Sequence, residues 1–308
     1  MWSRLLMVLF LNCVVTLPLY ADEPLLEIVL GVDANGHATQ PWQEMIARRL
    51  PEDKFREIEP LAKPYTPAES AWVRLIQSRR PEWETDVFQL AVPFRPVAAP
   101  EARIVLGNRG GEDAFTHDPH TIGFDVERLN ALYGDAGSDN NAALIDHLFH
   151  HEYTHLLQKA WVRDHPLRTD TPLNAAIAEM WLEGMGNYYS LSDAWKPLNG
   201  TPSPKAMEAL QVLEPRFMTR LAALACSASD NARELSRTLS SGPFDRKWGA
   251  LPVALWLEAE SINPDSLRDF VVAGEDGVWA LVSRHLTPAL RPQLEEIREL
   301  EKTCSVAK

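Results

Sequence analysis

Between Asn141 and Val162 the chain runs without a glycine or a proline, and Leu144, Ile145, Leu148, Leu156 and Leu157 recur at helical spacing. Such a stretch folds as one long helix laid against other elements, and it contains His151-Glu152-Tyr153-Thr154-His155. Residues four apart on a helix share a face one turn apart, so the two imidazoles aim at a single point. At about 100° per residue Glu152 stands at the edge of that face, close enough to hold a water, while Tyr153 and Thr154 turn away. Two imidazoles and a carboxylate suit a zinc ion, and a fourth position open to water makes such a site reactive. Chance would produce the five-residue pattern in roughly two of every hundred chains of this length and composition, so the surroundings have to decide its meaning. They support a helix: Asp139 or Asn140 can cap its start, and Pro166 follows its end.

A third ligand is expected downstream, and the next apolar-periodic segment, Ala175 to Leu191, offers two. Glu179 and Glu183 lie four apart on one face among Ile177, Met180, Trp181, Leu182 and Met185. Carboxylates on so apolar a helix need a reason to be buried. Metal ligation by one, with a hydrogen bond from the other to a ligand imidazole, supplies it.

The segment Trp181-Leu182-Glu183-Gly184-Met185-Gly186-Asn187-Tyr188 resembles the Trp-Leu-x-Glu-Gly-x-Ala-x-Tyr segment of the aminopeptidase N family. With the upstream motif, the chain resembles the gluzincins, zinc peptidases that take two His from HExxH and a Glu from the following helix. The resemblance covers Ala142 to Leu191 and implies Glu183 as the third ligand. The thermolysin-like order, ligand first and helper acid four residues on, would choose Glu179 instead. Three departures stand out: Leu182 directly precedes Glu183, Gly186 replaces the usual Ala, and the 27 residues between His155 and Glu183 exceed the family's interval. The glycine-rich motif that captures a free amino terminus in the aminopeptidases is not evident, so endopeptidase and exopeptidase both stay open.

The start of the chain bears on where this chemistry would act. Arg4, a run from Leu5 to Leu19 that is apolar apart from Asn12 and Thr16, and Leu19-Tyr20-Ala21 ahead of Asp22-Glu23-Pro24 read as a signal peptide cleaved after Ala21. The run is too short for a membrane anchor and Pro18 interrupts it, so a secreted or periplasmic protein without stable membrane insertion is expected. The formal net charge of −13 argues against nucleic acid and anionic membranes as partners. Cys226 and Cys304 would remain after cleavage, either bridged or as two thiols.

The 308 residues, 45% hydrophobic, can bury a substantial core. Leu26 to Leu30 reads as a strand, and Pro41 to Leu50 and Pro67 to Arg79 as amphipathic helices separated by proline-rich connectors. Ala102 to Gly107 is the clearest strand, with a turn at Asn108-Arg109-Gly110-Gly111 and a return strand over Thr121 to Val126. From Asn141 onward the pattern is helical, ending in the segments 204–226, 244–261, 265–273, 278–286 and 288–302. Strands first and helices after give an α+β class. The resemblance implies a zincin-like arrangement, a small N-terminal sheet packed on the active-site helix, followed by a mainly helical C-terminal half. The expected division is 1–21 signal peptide, 22–140 an α+β subdomain, and 141–308 a helical subdomain with the motif and third ligand. Peptidases of this type hold extended substrate along a sheet edge, for which Ile104 to Leu106 or Ile122 to Phe124 are candidates, against the plainer reading of two core strands.

Other residues are weighed against the motif. His147 precedes His151 by one turn but no Glu follows it, so it and His150 read as supporting or surface histidines. His117 and His120 fall in a loop from Thr116 to Thr121. Tyr188 and Tyr189 are candidate donors to a developing oxyanion, with His165, Arg168 and His285 as further options. Trp248, Trp256 and Trp279 read as core or cleft wall. The expectation is an exported metallopeptidase binding one zinc per chain through His151, His155 and Glu183, with Glu152 as general base. Its partner is a peptide or unfolded protein. The competing class is a noncatalytic zinc-peptidase-like interaction or chaperone module of the cell envelope, which would have no use for a base between its ligands.

Overall fold

The computed structural model describes residues 25–49, 61–197, 201–225, 230–261, 263 and 265–306. The signal-peptide reading of residues 1–21 lies outside this set, and so does Cys226. The described residues are mixed α/β, with one four-stranded sheet and a mainly helical remainder. Among the described residues no helix is long and apolar enough to cross a membrane.

The sheet comprises β1 (Leu26–Leu30), β2 (Ala102–Gly107), β3 (Ala114–Asp118) and β4 (Thr121–Asp125) in the order β1-β2-β4-β3. β1 and β4 both run parallel to β2, and β3 pairs antiparallel with β4. This corrects the expectation of a return strand at Thr121 to Val126. The chain reverses first through β3, so β4 comes back in the direction of β2. Thr116 and His117 therefore belong to a strand, with His120 at the hairpin turn. Ile104 to Leu106 and Ile122 to Phe124 are interior, with ladder partners on both sides, so neither presents an edge to a substrate.

Parallel strands need a crossover, and the segment between β1 and β2 covers both faces of the sheet. Helix α1 (Gln40–Arg49) puts Trp42, Met45 and Ile46 against Val105 and Phe115 on one face. A Cβ on Gly107 would fall 2.0 Å from the Trp42 ring, so the glycine at the end of β2 makes room for that indole. Helix α2 (Pro67–Leu90) lies on the other face. It opens with a capping box, Thr66 Oγ1 accepting from the Glu69 N–H while the Glu69 carboxylate accepts from the Thr66 N–H. It continues past Arg79 and through Pro81, beyond the expected end, because Trp83, Val87 and Leu90 prolong its buried stripe.

Helices α3 (Val126–Tyr133), α4 (Asn141–Val162) and α5 (Pro172–Tyr189) follow. The bounds of α4 match the sequence reading, although Asn140 makes no side-chain cap. Asn141 instead donates to the carbonyls of Tyr133 and Asp135. Arg79 clamps α4 to α2 with two hydrogen bonds to Asp146, at 2.9 and 3.0 Å. Trp83 donates to the same carboxylate and stacks on Phe149 with ring centroids 4.2 Å apart. Further along, Tyr153 donates to the Pro100 carbonyl. Three anchors on successive turns set both the height and the rotation of the motif helix.

The rest of the helical half is α6 (Pro204–Ala225), α7 (Asp230–Ser240), α8 (Ala250–Glu260), α9 (Ser266–Ala273), α10 (Glu275–His285) and α11 (Arg291–Val306). Helix α7 has no counterpart in the sequence reading. Helix α8 backs α5 so closely that a Cβ on Gly184 would lie 2.3 Å from Val253 Cγ1. Trp248, Trp256 and Trp279 are core. One apolar core runs from Leu26 to Ile297, joining the sheet to the helical half.

Candidate metal centre

Helices α4 and α5 pass each other in opposite directions: Gln158 meets Leu182, His155 meets Glu183, and His151 meets Gly186. This antiparallel register brings a carboxylate from one helix to two imidazoles of the other. His151 Nε2 and His155 Nε2 are 3.0 Å apart. Glu183 Oε1 lies 3.4 Å from His155 Nε2, and Oε2 lies 3.7 Å from His151 Nε2. Among the described residues these three form the one group able to hold a metal ion, with a ligand atom from each within 4.8 Å of the others.

The shell around them fixes their orientation. His155 Nδ1 is 2.8 Å from Gln158 Oε1, and Gln158 Nε2 donates to the Leu182 carbonyl at 2.9 Å. Because the amide nitrogen is committed to α5, its oxygen must accept from Nδ1–H, which leaves Nε2 free to ligate. His151 is held by a backbone hydrogen bond with Gly186. A Cβ at Gly186 would sit 3.0 Å from His151 Cε1, which explains physically why glycine stands where the resemblance leads one to expect alanine. Asn187 donates to the Glu183 carbonyl and accepts from Lys247, whose charge pulls down the pKa values of both Glu183 and His151.

The electrostatics favour a cation at the convergence point. Burial and the neighbouring His155 push the His151 imidazole down to about 3. Burial opposes charge on His155 and Glu183 as well, yet each holds the other ionised, His155 shifted up and Glu183 down. Two imidazole nitrogens and a carboxylate facing one another at these distances suit a shared positive charge, and a divalent ion would meet all three at once. Glu152 is 8% exposed, and burial lifts its carboxyl to about 7; His155 opposes that shift, while Glu183 and Asp113 add to it.

The other candidates fall elsewhere. Glu179, proposed to hydrogen-bond a ligand imidazole, instead accepts from Ser240 Oγ on α7 at 3.2 Å, because its side chain points along α5 toward α7. The imidazole partner is Gln158. Tyr188 and Tyr189 line a cavity one helical turn from the ligands, together with His147 and His150. His150 pairs with Asp86. His165 stacks on Trp161, Arg168 engages Glu275 and Asp276, and His285 bonds Glu260, so local partners account for all three. Lys159, one turn past His155, donates to Thr116 Oγ1 and the Asp118 carbonyl, tying the outer strand β3 to the motif helix.

The sequence reading missed Gln158, Asn187, Lys247 and Lys159. Gln158 carried one signal: a polar residue three positions after a ligand histidine, directly following the apolar pair Leu156-Leu157.

No protein-family model, no curated protein and no solved structure matches this chain.

Proposed function

We propose that the chain is a zinc-dependent metallopeptidase of zincin-like architecture, with His151, His155 and Glu183 as ligands and Glu152 as general base. The observation that carries this reading is the convergence of the two Nε2 atoms and the Glu183 carboxylate beside a buried, otherwise uncommitted Glu152. In a tetrahedral zinc site with bonds near 2.0–2.1 Å, neighbouring ligand atoms lie roughly 3.3 Å apart. The imidazole nitrogens are 3.0 Å apart and the two Glu183 oxygens lie 3.4 Å from His155 and 3.7 Å from His151, all near that value. Bound zinc supplies Lewis acidity toward a water and a peptide carbonyl.

The chain's own groups do the rest. Glu152 accepts a proton from the attacking water and returns it to the leaving nitrogen, the two roles of a positioned general base. Gln158 and the Gly186 backbone keep the two imidazoles in the ligating tautomer and orientation. Strand β3 is the outer strand beside α4, so its free edge is the one on which an extended substrate can pair. The substrate is therefore a peptide or an unfolded protein segment.

Elemental analysis of the purified chain tests the metal, with one zinc per chain expected. Glu183→Ala should lose that zinc, whereas Glu179→Ala should retain it. Glu152→Gln tests the chemistry: it should keep zinc and lower cleavage of an unfolded protein about 10²- to 10⁴-fold. Full cleavage by Glu152→Gln would reject the mechanism. Stoichiometric zinc with no cleavage by the wild type would favour the noncatalytic envelope module.

A further inference from the structure

Beyond the metal ligands, the seam between α4 and α5 opens into a cavity of about 510 Å³, a size suited to a bound side chain. Its walls locate it relative to the proposed chemistry. His147 is four residues, about 6 Å along the axis, before His151 on the same face of α4. Across the seam, Tyr188 and Tyr189 follow Gly186, the residue against His151. The far wall is the end of α8, with Glu258 and Ser261, and Lys196 stands at the rim. A substrate residue next to the scissile bond can therefore reach into this space.

The charges in the walls differ in how well they are matched. Asp146 is saturated by Arg79 and Trp83. His150 faces Asp86, and Lys196 faces Asp193 at 3.6 Å. Glu258 stands apart. Among the described residues no hydrogen bond or ion pair reaches its carboxylate, and the one cation that influences it is Lys196 at a distance. Burial raises its pKa, the mark of an anion short of solvent and of partners. The phenol rings of Tyr188 and Tyr189, 4.9 Å apart and nearly perpendicular, add two π-faces and two hydroxyl acceptors.

We infer that this cavity is the subsite for a basic side chain of the peptide, lysine or arginine, adjacent to the scissile bond, with Glu258 as its specificity-determining carboxylate and the tyrosine pair as its walls. This rests on the peptidase reading above. An unpaired anion in a cavity that also presents aromatic rings gains most from a cation carrying several N–H donors, and a neutral side chain would leave the half-buried carboxylate unmatched.

The test uses the zinc-loaded full chain and peptides differing only at the two positions that flank the cleaved bond. Arginine or lysine at one of them should raise kcat/KM about tenfold or more over leucine. Glu258→Gln should reduce that basic-over-leucine ratio to near one, and Lys196→Met, which removes the competing cation at the rim, should increase it. An absent basic preference, or a ratio unchanged in Glu258→Gln, overturns the inference. If the wild type cleaves no peptide, the peptidase reading fails separately. The subsite is then judged by calorimetry with an acetylated, amidated tripeptide carrying a central arginine or leucine. Binding of the arginine peptide about tenfold tighter to the wild type than to Glu258→Gln supports it. Equal binding overturns it.

Discussion

Two buried regions flank the sheet side of this molecule, and their chemistry is opposite. The pad beneath the sheet, where Trp42, Met45 and Ile46 meet Val105 and Phe115, has apolar side chains at its centre. Trp42 Nε1 is satisfied by the Asn108 carbonyl, and Arg49 covers Phe115 from the rim while pairing with Glu112. The seam between α4 and α5 buries Glu152, Gln158 and Asn187, and partly buries His151, His155 and Glu183, within a few turns. Burying polar and ionisable groups costs free energy even when they are paired, and apolar groups of the same size would stabilise the fold at least as well. The pad has the composition stability alone would select. The seam does not, and that excess is what the proposed function would account for.

If this division holds, the two regions should respond in opposite ways to substitution. The largest effect is expected in the pad. Trp42→Ala removes a fully buried indole and should cost about 3–5 kcal/mol of stability by denaturant unfolding. The fraction that remains folded should still bind one zinc per chain, since Trp42 lies across the sheet from α4. Loss of zinc from that folded fraction would show that the pad and the seam are not separable.

Next in size is a substitution in the seam that should stabilise. In the zinc-free chain, Glu152 has its carboxyl raised to about 7 from an ordinary 4.5. The folded state therefore holds this proton more tightly than the unfolded state, so the contribution is present below pH 4.5 and is lost as pH rises toward 7. Glu152→Gln removes that dependence. The zinc-free variant should match the wild type near pH 4 and exceed it increasingly up to pH 7, by at most about 3 kcal/mol, with a plateau beyond. Chemical denaturation across that range measures the difference. A constant gap at all pH values would mean that Glu152 does not titrate as its burial implies.

The same contrast explains what could be read from the sequence. Helix α4 was legible to its end residues because periodicity and the absence of breakers are local properties, and the HExxH spacing is local too. Glu183 came from a second helix, where the resemblance implied it over Glu179, and the register that sets His155 opposite it supplies the physical reason. Strand β3 was missed because Ala114 and Phe115 are both buried, between the sheet and its covering helices, so the stretch lacks period-two alternation. With β3 unseen, β4 was assigned the wrong direction. Helix α2 was cut short at Arg79 because Pro81 breaks local propensity, a cost offset by the burial of Trp83 and Val87. In each case the missing information lay in another element of the fold.

Gln158 belongs to this class, and it yields the smallest and most selective prediction. Its amide links the two helices, accepting from His155 Nδ1–H and donating to the Leu182 carbonyl, while touching neither the proposed zinc position nor a substrate. Gln158→Leu keeps the volume but removes the group that fixes the His155 tautomer. Under the proposed function, zinc affinity measured by chelator competition should fall about 10- to 100-fold. The unfolding midpoint of the zinc-free chain should move less than in Trp42→Ala, because an apolar side chain of similar size fills the site. Gln158→Glu should recover most of the affinity, since a carboxylate accepts the same proton from Nδ1. Equal losses in Gln158→Leu and Gln158→Glu would mean that the bond to Leu182, and hence helix spacing, is what Gln158 supplies. The seam would then resemble the pad at this position, a matter of packing.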